Sequence, residues 1–274
     1  MNLICSHYQN CGGCSLRDVD YKDQINLKKE NFIKLIKDND LTDCLPMTNT
    51  TIELVESPNL NFYRNKMDFS FSSVNNEIVL GLNKKGEFDK IVNIENCLLQ
   101  TEDTNKILQI VRAWMNEYGV SAYNKKTHSG ILRNLIIRHC FKTNSFLLNF
   151  IVFEHQNLDL TSLIQNIVKS NINVKSVYLS VNKNFGDTSF TETKTLVWGE
   201  SFLEEDINNT RYFVGPFSFF QVNSFLIESM YEITKKWLQS GDILVDLYCG
   251  VGGFGIYLAK NFQKIIGIDN NAEA

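Results

Sequence analysis

Two groups of residues in this chain could do chemistry. The first is a set of four cysteines: Cys5, Cys11 and Cys14 lie close together near the N-terminus, and Cys97 lies far along the chain. Thiolates in this number can hold either zinc or an iron–sulfur cluster, and the residues alone leave both open. A pair of glycines between Cys11 and Cys14 lets the loop fold tightly. We therefore predict a metal or iron–sulfur site at these four residues.

Other thiols and the nearest histidine give weaker signals. Cys44 and Cys140 have no companions at ligand spacing, so we interpret them as structural. His7 lies in the ligand loop, but no second histidine supports a mixed site. The alternative for the whole set is that the cysteines are scattered and bind nothing. The seven cysteines occur without a secretory signal, which fits a reducing cytosol better than a disulfide framework.

The second group is a glycine-rich turn that follows an apolar strand. The strand covers Ile243–Tyr248, and the turn that follows carries glycines at 250, 252 and 253. Glycines let a backbone approach a ligand closely, and Asp269 ends the next strand, where such folds place a carboxylate that accepts hydrogen bonds from ribose hydroxyls. Asp246 precedes the glycines, unlike the glycine order of a dinucleotide fold. This pattern predicts a nucleotide-type cofactor; the alternative is a purely structural strand–turn–helix.

Length and composition limit the class of protein. A chain of 274 residues, 43% of them hydrophobic, can build real cores and suggests roughly two domains. It has no apolar run long enough to span a membrane, so we expect a cytoplasmic protein without a membrane partner. The net charge of −4 gives no overall attraction to nucleic acid, so RNA binding would depend on local basic patches.

Hydrophobic periodicity predicts the elements that must position these residues. The predicted helices are Tyr21–Lys37, Thr104–Tyr118, Leu158–Lys169, Val222–Leu238 and Phe254–Lys260. The predicted strands are Lys66–Val74, Ile78–Leu82, Asn134–His139, Ser145–Phe153, Val174–Val181, Ile243–Tyr248 and Lys264–Ile268. We expect the first helix to bury Ile25, Phe32, Leu35 and Ile36, and the fourth to bury Val222, Leu226, Met230, Ile233 and Trp237. The last two strands are expected to be buried on both faces.

These elements predict a mixed fold, α+β in the centre and α/β at the end. Residues 1–50 would form a cysteine loop and a helix, and residues 51–205 a central α+β sheet domain that carries Cys97. Residues 206–274 would begin a doubly wound, Rossmann-like parallel sheet. Because only two strands of that sheet are recognisable before Ala274, we expect the chain to be truncated at its C-terminus.

Taken together, the motifs resemble those of a known family. The turn at Asp246–Gly253 resembles motif I of class I S-adenosylmethionine methyltransferases. With the cysteines, it makes the chain similar to the RNA (uracil-5-)-methyltransferases, particularly their iron–sulfur 23S rRNA branch. The resemblance runs nearly end to end. It is carried by Cys5–Cys14, Phe62–Phe71, Ile91–Gln100, Leu132–Arg138, Ser218–Asn223 and Asp246–Gly250.

The resemblance implies a role for each matching residue. The four cysteines, from Cys5 to Cys97, would ligate a [4Fe–4S] cluster and so make an N-terminal iron–sulfur loop. Gln221 would contact S-adenosylmethionine through its amide, Tyr248 by packing along it, and Asp269 at its ribose. The nucleophilic cysteine and the general base of the family would fall beyond Ala274, so no catalytic residue is assigned. Cys249, in the turn under the cofactor, is not nominated.

The implied activity is formation of 5-methyluridine in RNA, for which 23S rRNA is the expected substrate. Uracil C5 is a poor nucleophile, so this chemistry needs a thiolate that adds to C6, a methyl donor and a base. The alternatives are methylation of a tRNA uracil or, for this chain alone, a non-catalytic iron–sulfur or zinc module that binds RNA. An electron-transfer protein is disfavoured, because nothing beside the cysteines suggests an electron route.

RNA is therefore the expected partner, and we expect a monomer that is inactive as a methyltransferase without the missing residues. A target uracil must leave its stack to be reached, so loop or single-stranded RNA is the expected form. The candidate contacts are basic: Lys28, Lys29, Lys34, Lys37, Lys84, Lys85, Lys125, Lys126, Arg64, Lys66, Arg133 and Arg138.

Overall fold

A seven-stranded mixed sheet forms the centre of the computed structural model of this chain. The structure describes residues 3–41, 52–75, 77–154, 158–186, 188–191 and 193–271. The helices are α1 (Tyr21–Asp38), α2 (Glu102–Tyr118), α3 (Thr161–Lys169), α4 (Ser224–Leu238) and α5 (Gly253–Tyr257). The strands of the large sheet are β1 (Lys66–Val74), β2 (Glu77–Lys84), β3 (Glu87–Asn93), β4 (Leu132–Cys140), β5 (Ser145–Val152), β6 (Val174–Val181) and β7 (Lys194–Gly199).

The sheet has the strand order β3-β2-β1-β4-β5-β6-β7. Its pairs are antiparallel except β5 and β6, which run parallel and are joined through α3. A parallel pair needs such a crossover, whereas the antiparallel pairs can be joined by short turns. The central strands β4 and β5 are buried along nearly their whole length. The predicted α+β sheet is therefore present.

The core lies on the face of the sheet that α2 and α3 cover. Along β1, Met67, Phe69 and Phe71 are buried while the residues between them are only half-buried. This alternation is the period of two that the sequence shows. From α2, Trp114 completes the core and donates a hydrogen bond from its ring nitrogen to Ser162 Oγ on α3 (2.9 Å). The opposite face of β1 presents polar side chains.

Two smaller sheets follow the large one. The antiparallel pair is β8 (Leu203–Ile207) with β9 (Thr210–Val214), and the parallel pair is β10 (Gly241–Leu247) with β11 (Phe262–Ile268). Between β10 and β11 the chain forms α5 and a short 3₁₀ helix at Ala259–Asn261. A strand, a glycine-rich turn, a helix and a parallel strand are the start of a doubly wound unit. The division of the chain at residues 50 and 205 stays a prediction.

Two predicted buried faces are wrong. None of the residues of α1 is buried, although Ile25, Phe32, Leu35 and Ile36 were expected inside. The helix rests on loops rather than on a sheet: the hydroxyl of Tyr21 accepts a hydrogen bond from the Ser57 amide (2.7 Å). On α4 the buried residues are Ile227 and Tyr231. Trp237, at the end of the expected face of Val222, Leu226, Met230 and Ile233, is 84% exposed.

The expected double burial of the last two strands is also wrong. Most residues of β10 and β11 are exposed, Ile243, Val245 and Leu247 among them. The physical reason is that, in the described chain, each strand pairs only with the other, and α5 is too short to cover their faces. Strands of this composition are normally covered on both sides.

Four strands have no counterpart in the predictions: β3, β7, β8 and β9. β8 is rich in acidic residues and β7 is an exposed edge strand, so neither shows clean alternation of apolar and polar residues. Cys44 and the rest of the predicted link at residues 42–51 lie outside the described residues. In the described part of the chain, every helix is too short or too polar to cross a membrane.

Candidate cofactor site and cysteine cavity

The glycine-rich turn after β10 is closed by a carboxylate at the end of the strand. Asp246 Oδ2 accepts a hydrogen bond from the backbone amide of Gly255 (2.9 Å), which fixes the start of α5. Tyr248, Gly250 and Gly252 have positive φ angles of 60°, 52° and 79°. Glycine adopts this conformation without strain, whereas a tyrosine does so only when its surroundings impose it. The side chain of Tyr248 is 87% exposed at the mouth of the turn.

Asp269 holds the other side of the turn. Its Oδ2 accepts a hydrogen bond from the Gly250 amide (2.7 Å) and its Oδ1 one from the Asn271 amide (2.8 Å). The bonds from Asn271 and then Gly250 hold the pKa of this carboxyl below its usual value, so it is ionised at neutral pH. The carboxylate is exposed to solvent, and an oxygen can accept more than one hydrogen bond. It can therefore bind a hydroxyl of a ligand while it shapes the turn.

Close packing explains the glycine at 253. A Cβ atom there would lie 2.3 Å from the Tyr231 hydroxyl oxygen, which no side chain could tolerate without movement. The carbonyl of Gly253 accepts a hydrogen bond from the Tyr212 hydroxyl (3.1 Å). A Cβ atom at Gly255 would meet Ile265 at 3.1 Å. These contacts fix α5 against α4, β9 and β11, as expected for a glycine that permits tight helix–strand packing.

The segment before α4 packs against the glycine-rich turn. A Cβ atom at Gly250 would contact the carbonyl of Phe219 at 3.4 Å, so the two backbones approach closely. Phe219 is itself exposed, as is Tyr248. Gln221 lies two residues beyond Phe219 in the same segment. The roles of Gln221, Tyr248 and Asp269 in cofactor binding stay predictions.

The large sheet holds this segment in place. Asn65, buried just before β1, donates from its side chain to the Gln221 carbonyl (2.7 Å) and to Ser224 Oγ (2.8 Å). Its backbone amide donates to the Val222 carbonyl (2.9 Å). Arg138 on β4 donates to the carbonyls of Pro216 (3.1 Å) and Ser218. The sequence prediction missed these roles, although Asn65 and Arg138 belong to motifs that carry the family resemblance.

Two candidate RNA contacts are corrected by this geometry. Arg138 is 3% exposed, and burial lowers its pKa to about 10. Its guanidinium hydrogen-bonds the Pro216–Ser218 segment. Arg133 is equally buried and donates to the carbonyls of Asn182 (2.8 Å) and Gly186 (2.7 Å). Neither guanidinium can reach a phosphate from solvent. Arginines on a strand flanked by apolar residues were read as surface charges, but their hydrogen bonds are internal.

The four predicted ligand cysteines line one cavity. Cys5, Cys11, Cys14 and Cys97 meet there, and Leu82, Ile94, Leu98 and Leu99 supply its apolar wall. The cysteine loop reaches this position because its backbone pairs with the end of β2, where Cys11 forms an antiparallel bridge with Lys84. The Gly12 amide donates to the Asn83 carbonyl (2.8 Å), and the Lys85 amide donates to the Asn10 carbonyl (2.7 Å).

Neighbouring groups orient the remote cysteine. Asn105 Oδ1 accepts a hydrogen bond from the Cys97 amide (2.8 Å), and the backbone amides of Leu99 and Gln100 point at the Cys97 sulfur. Amide donors of this kind favour a thiolate and tune iron–sulfur clusters. His7 Nε2 accepts from the amides of residues 95 (3.2 Å) and 96 (3.4 Å), so it ties the loop to the Cys97 segment.

Electrostatics agree with four thiols in one place. Burial raises the pKa of Cys11, Cys14 and Cys97, and for Cys14 the charges of the other three cysteines raise it further. Such a set gains from a cation that replaces the protons. Within the described ranges, however, no group of three or more His, Cys, Asp or Glu side chains is placed to hold a single metal ion. Four cysteines at one cavity are a donor set that zinc and iron–sulfur clusters both use, so the iron–sulfur assignment stays a prediction.

The other described thiols differ from these. Cys140 is buried beside Glu205, and burial, followed by that carboxylate, raises its pKa far above the usual range. This supports the structural interpretation. Cys249 packs on β11, where a Cβ atom at Gly267 would lie 3.0 Å from its sulfur. Burial, Asp246 and Asp269 raise its pKa, which is the opposite of what a nucleophilic thiol needs.

A strand–turn–helix closed by two carboxylates, joined to a mixed sheet, defines an α/β protein with a nucleotide-type cofactor site. A family model described as tRNA (Uracil-5-)-methyltransferase matches residues 20–271. The chain is 30% identical over 270 residues to the tRNA (uracil(54)-C(5))-methyltransferase of Pyrococcus furiosus, covering 98% of this chain and 60% of that protein. The chain therefore belongs to the tRNA (uracil-5-)-methyltransferase family.

Two further relatives extend the comparison. An uncharacterized RNA methyltransferase of Caldanaerobacter subterraneus is 31% identical, with 98% of this chain and 60% of that protein covered. The crystal structure of the Pyrococcus abyssi tRNA (uracil-54, C5)-methyltransferase, in complex with S-adenosyl-L-homocysteine, superposes with a TM-score of 0.76. That match is 28% identical and covers 95% of this chain and 59% of the other. The chain thus spans about 60% of the length of these relatives, and the predicted mixed α/β fold with a central sheet is confirmed.

Proposed function

We propose that this chain carries the cofactor-binding part of an S-adenosylmethionine-dependent enzyme that forms 5-methyluridine in RNA. One observation carries the proposal: in a chain of this family, the glycine turn held by Asp246 and Asp269 lies against the Phe219 segment. A relative of similar fold was solved with S-adenosyl-L-homocysteine, the product that the methyl donor leaves behind. On this reading residues 206–274 begin the methyltransferase domain, residues 51–205 form the central domain and residues 1–50 the cysteine loop.

Residues of the turn and of the segment before α4 would then contact the cofactor. S-adenosylmethionine would supply the methyl group. Asp269 would accept hydrogen bonds from its ribose hydroxyls, and Tyr248 would pack along it with a side chain that is exposed at the mouth of the turn. Gln221 would contact it through its amide, while Asn65 fixes the backbone of Gln221 through the carbonyl. Gly253 could contribute only backbone atoms.

The proposed substrate is tRNA. Two relatives, from Pyrococcus furiosus and Pyrococcus horikoshii, are named tRNA (uracil(54)-C(5))-methyltransferases at 30% and 29% identity. These names favour the alternative of the sequence analysis over the expected 23S rRNA. The Rossmann-like turn itself reads the cofactor and not the RNA, so it does not distinguish the two substrates.

The test offers both RNAs to the complete protein. It would be incubated with methyl-labelled S-adenosylmethionine and unmodified transcripts of tRNA or 23S rRNA, followed by nucleoside mass spectrometry. We expect labelled 5-methyluridine in tRNA. Label in 23S rRNA alone would contradict tRNA as the substrate. Label in neither RNA, or in another nucleoside, would contradict the formation of 5-methyluridine.

We further propose that the cysteine cavity binds a [4Fe–4S] cluster through Cys5, Cys11, Cys14 and Cys97. The support is the shared cavity, its apolar wall and the amide donors at the Cys97 sulfur. Anaerobically purified protein should be brown, with iron and sulfide present and visible absorbance that bleaches on reduction. Cys97→Ser should lower the iron content, whereas Cys140→Ser, at a buried thiol outside the cavity, should keep it. Colourless protein with stoichiometric zinc would contradict the cluster.

A further inference from the structure

A second cavity, of about 380 Å³, lies beside the cysteine cavity. Its walls come from the cysteine loop, the first turns of α1, the segment at residues 54–60 and the start of α4. Cys14 and Leu99 line both cavities, and Asn223, which follows the Gln221 segment, lines the second one. The space therefore adjoins both the cysteine cavity and the start of α4. It is within the size range, about 300–1,000 Å³, in which proteins bind small organic groups.

The lining of this cavity carries three cationic side chains. Arg17, Lys28 and Arg64 line it, and none of the described residues that line it is an aspartate or a glutamate. Arg17 is a fixed charge, because its guanidinium donates to the carbonyls of Leu60 (3.1 Å) and Leu3 (3.0 Å). Cations of one sign in a cleft with low-dielectric walls concentrate a positive potential. Such a site attracts an anion.

Arg64 is one of these three cations. Its Nε is buried and has no hydrogen-bond partner among the described residues. The backbone of Arg64 is held firmly, since its amide donates to the Leu99 carbonyl (2.9 Å) and the residue forms a bridge with Asn223. A buried donor without an acceptor is rare in folded proteins, and a bound water or ion can satisfy it. A guanidinium suits a phosphate, which it can bind through two parallel hydrogen bonds.

The rest of the lining suits a planar group. Apolar and polar side chains contribute to it in similar measure. The apolar ones include Leu16, Tyr21, Ile25, Leu54, Tyr63 and Leu226, and the uncharged polar ones are Ser15, Gln24, Ser57, Asn59 and Asn223. Nucleobases stack on aromatic rings and pack on apolar side chains, and they use scattered polar groups for their edges. The cations Arg17 and Arg64 beside this apolar surface therefore suit a ligand in which a phosphate is joined to a base.

We propose that this cavity binds one nucleotide of the RNA substrate, other than the methylated uridine. Its phosphate lies on Arg64 near Arg17, and its base packs on the apolar wall. A phosphorylated nucleoside is the shared chemistry of an RNA nucleotide and a free mononucleotide, and RNA as the source rests on the proposed function. The cavity thus places an RNA contact between the cysteine loop and the entry to α4.

The test measures RNA binding without S-adenosylmethionine, so that it does not depend on methyl transfer. A fluorescein-labelled tRNA transcript would be titrated with the complete protein and followed by anisotropy at several salt concentrations. Arg64→Gln should weaken binding roughly 10–100-fold and reduce the slope of log affinity against log salt by about one. Lys169→Gln, which removes an exposed charge at the end of α3, should leave affinity within about twofold. Circular dichroism checks that both variants are folded.

Two further arms keep the outcome decisive. Asn59→Trp fills the cavity and keeps Arg64, and it should weaken RNA binding as Arg64→Gln does. Uridine monophosphate serves as the free-nucleotide probe, observed by phosphorus NMR. If it binds in an Arg64-dependent way while RNA affinity stays at the wild-type value, the cavity takes a free nucleotide and the RNA assignment is overturned. Wild-type RNA affinity in both variants overturns it as well, whether or not the protein methylates tRNA.

Discussion

At the scale of single residues, Asp269 does more than the resemblance implies. It shapes the turn through the Gly250 amide and leaves oxygen lone pairs towards solvent. Asp269→Ala removes both the clamp and the acceptor for a ribose hydroxyl. We expect the dissociation constant of S-adenosylmethionine to rise, measured by calorimetry. The matched control is Asp242→Ala, at the far end of β10, where the carboxylate bonds only Gln263 in the described chain. Equal affinities of the two variants would show that Asp269 is misassigned.

Cys249 illustrates how a residue near the cofactor can be excluded from the chemistry. Its raised pKa keeps it protonated, and its sulfur packs on Gly267. Nucleophilic cysteines need the opposite environment, with a lowered pKa. We therefore expect Cys249→Ala in the complete protein to retain methyl transfer, measured as initial rates at saturating RNA. A loss of several orders of magnitude would identify Cys249 as the nucleophile.

At the scale of elements, the segment at residues 216–224, called the cofactor segment, is held by Asn65 and by Arg138 of the large sheet. Asn65→Ala leaves the Gln221 carbonyl and the Ser224 hydroxyl without their donor, so Gln221 loses its fixed position. We expect the KM for S-adenosylmethionine to rise and stability to fall by about 1–3 kcal/mol. Asn134→Ala is the control, because its side chain bonds Ser70 on the same sheet (3.2 Å) away from the segment. A lower melting temperature with an unchanged KM would reduce Asn65 to a structural role.

The difference between local patterns and contacts that are distant in the chain shows what could be predicted from the sequence. Alternation along β1 and the apolar run of β5 identify central strands, because burial there follows local pattern. The contacts of Asn65 with the α4 entry join residues far apart in the chain, and no local pattern reports them. Arg138 was misread for that reason: from sequence, a buried arginine that binds backbone carbonyls looks like a surface charge. The turn and the cysteine loop were predictable because glycine and cysteine spacing carries their chemistry.

At the scale of the whole molecule, RNA binding has to overcome an unfavourable net charge. The chain carries −4 at neutral pH, so attraction depends on a few local cations. Among the candidates that remain, Lys66 lies half-buried on the polar face of β1, paired with Arg138 on β4. Burial is the main reason that its pKa falls to about 8, and the charge of Arg138 adds to it.

That pKa predicts a pH dependence with a definite sign. Lys66 is charged below about 8 and neutral above it, with Asp68 opposing the shift and Arg64 adding to it. We therefore expect RNA affinity to fall as pH rises from about 7 to about 9, because a phosphate contact is lost. Lys66→Arg keeps its charge throughout and should flatten the profile, whereas Lys169→Arg, distant on α3, should leave it unchanged. Anisotropy titrations at constant salt would measure this, and identical profiles for wild type and Lys66→Arg would show that Lys66 does not contact RNA.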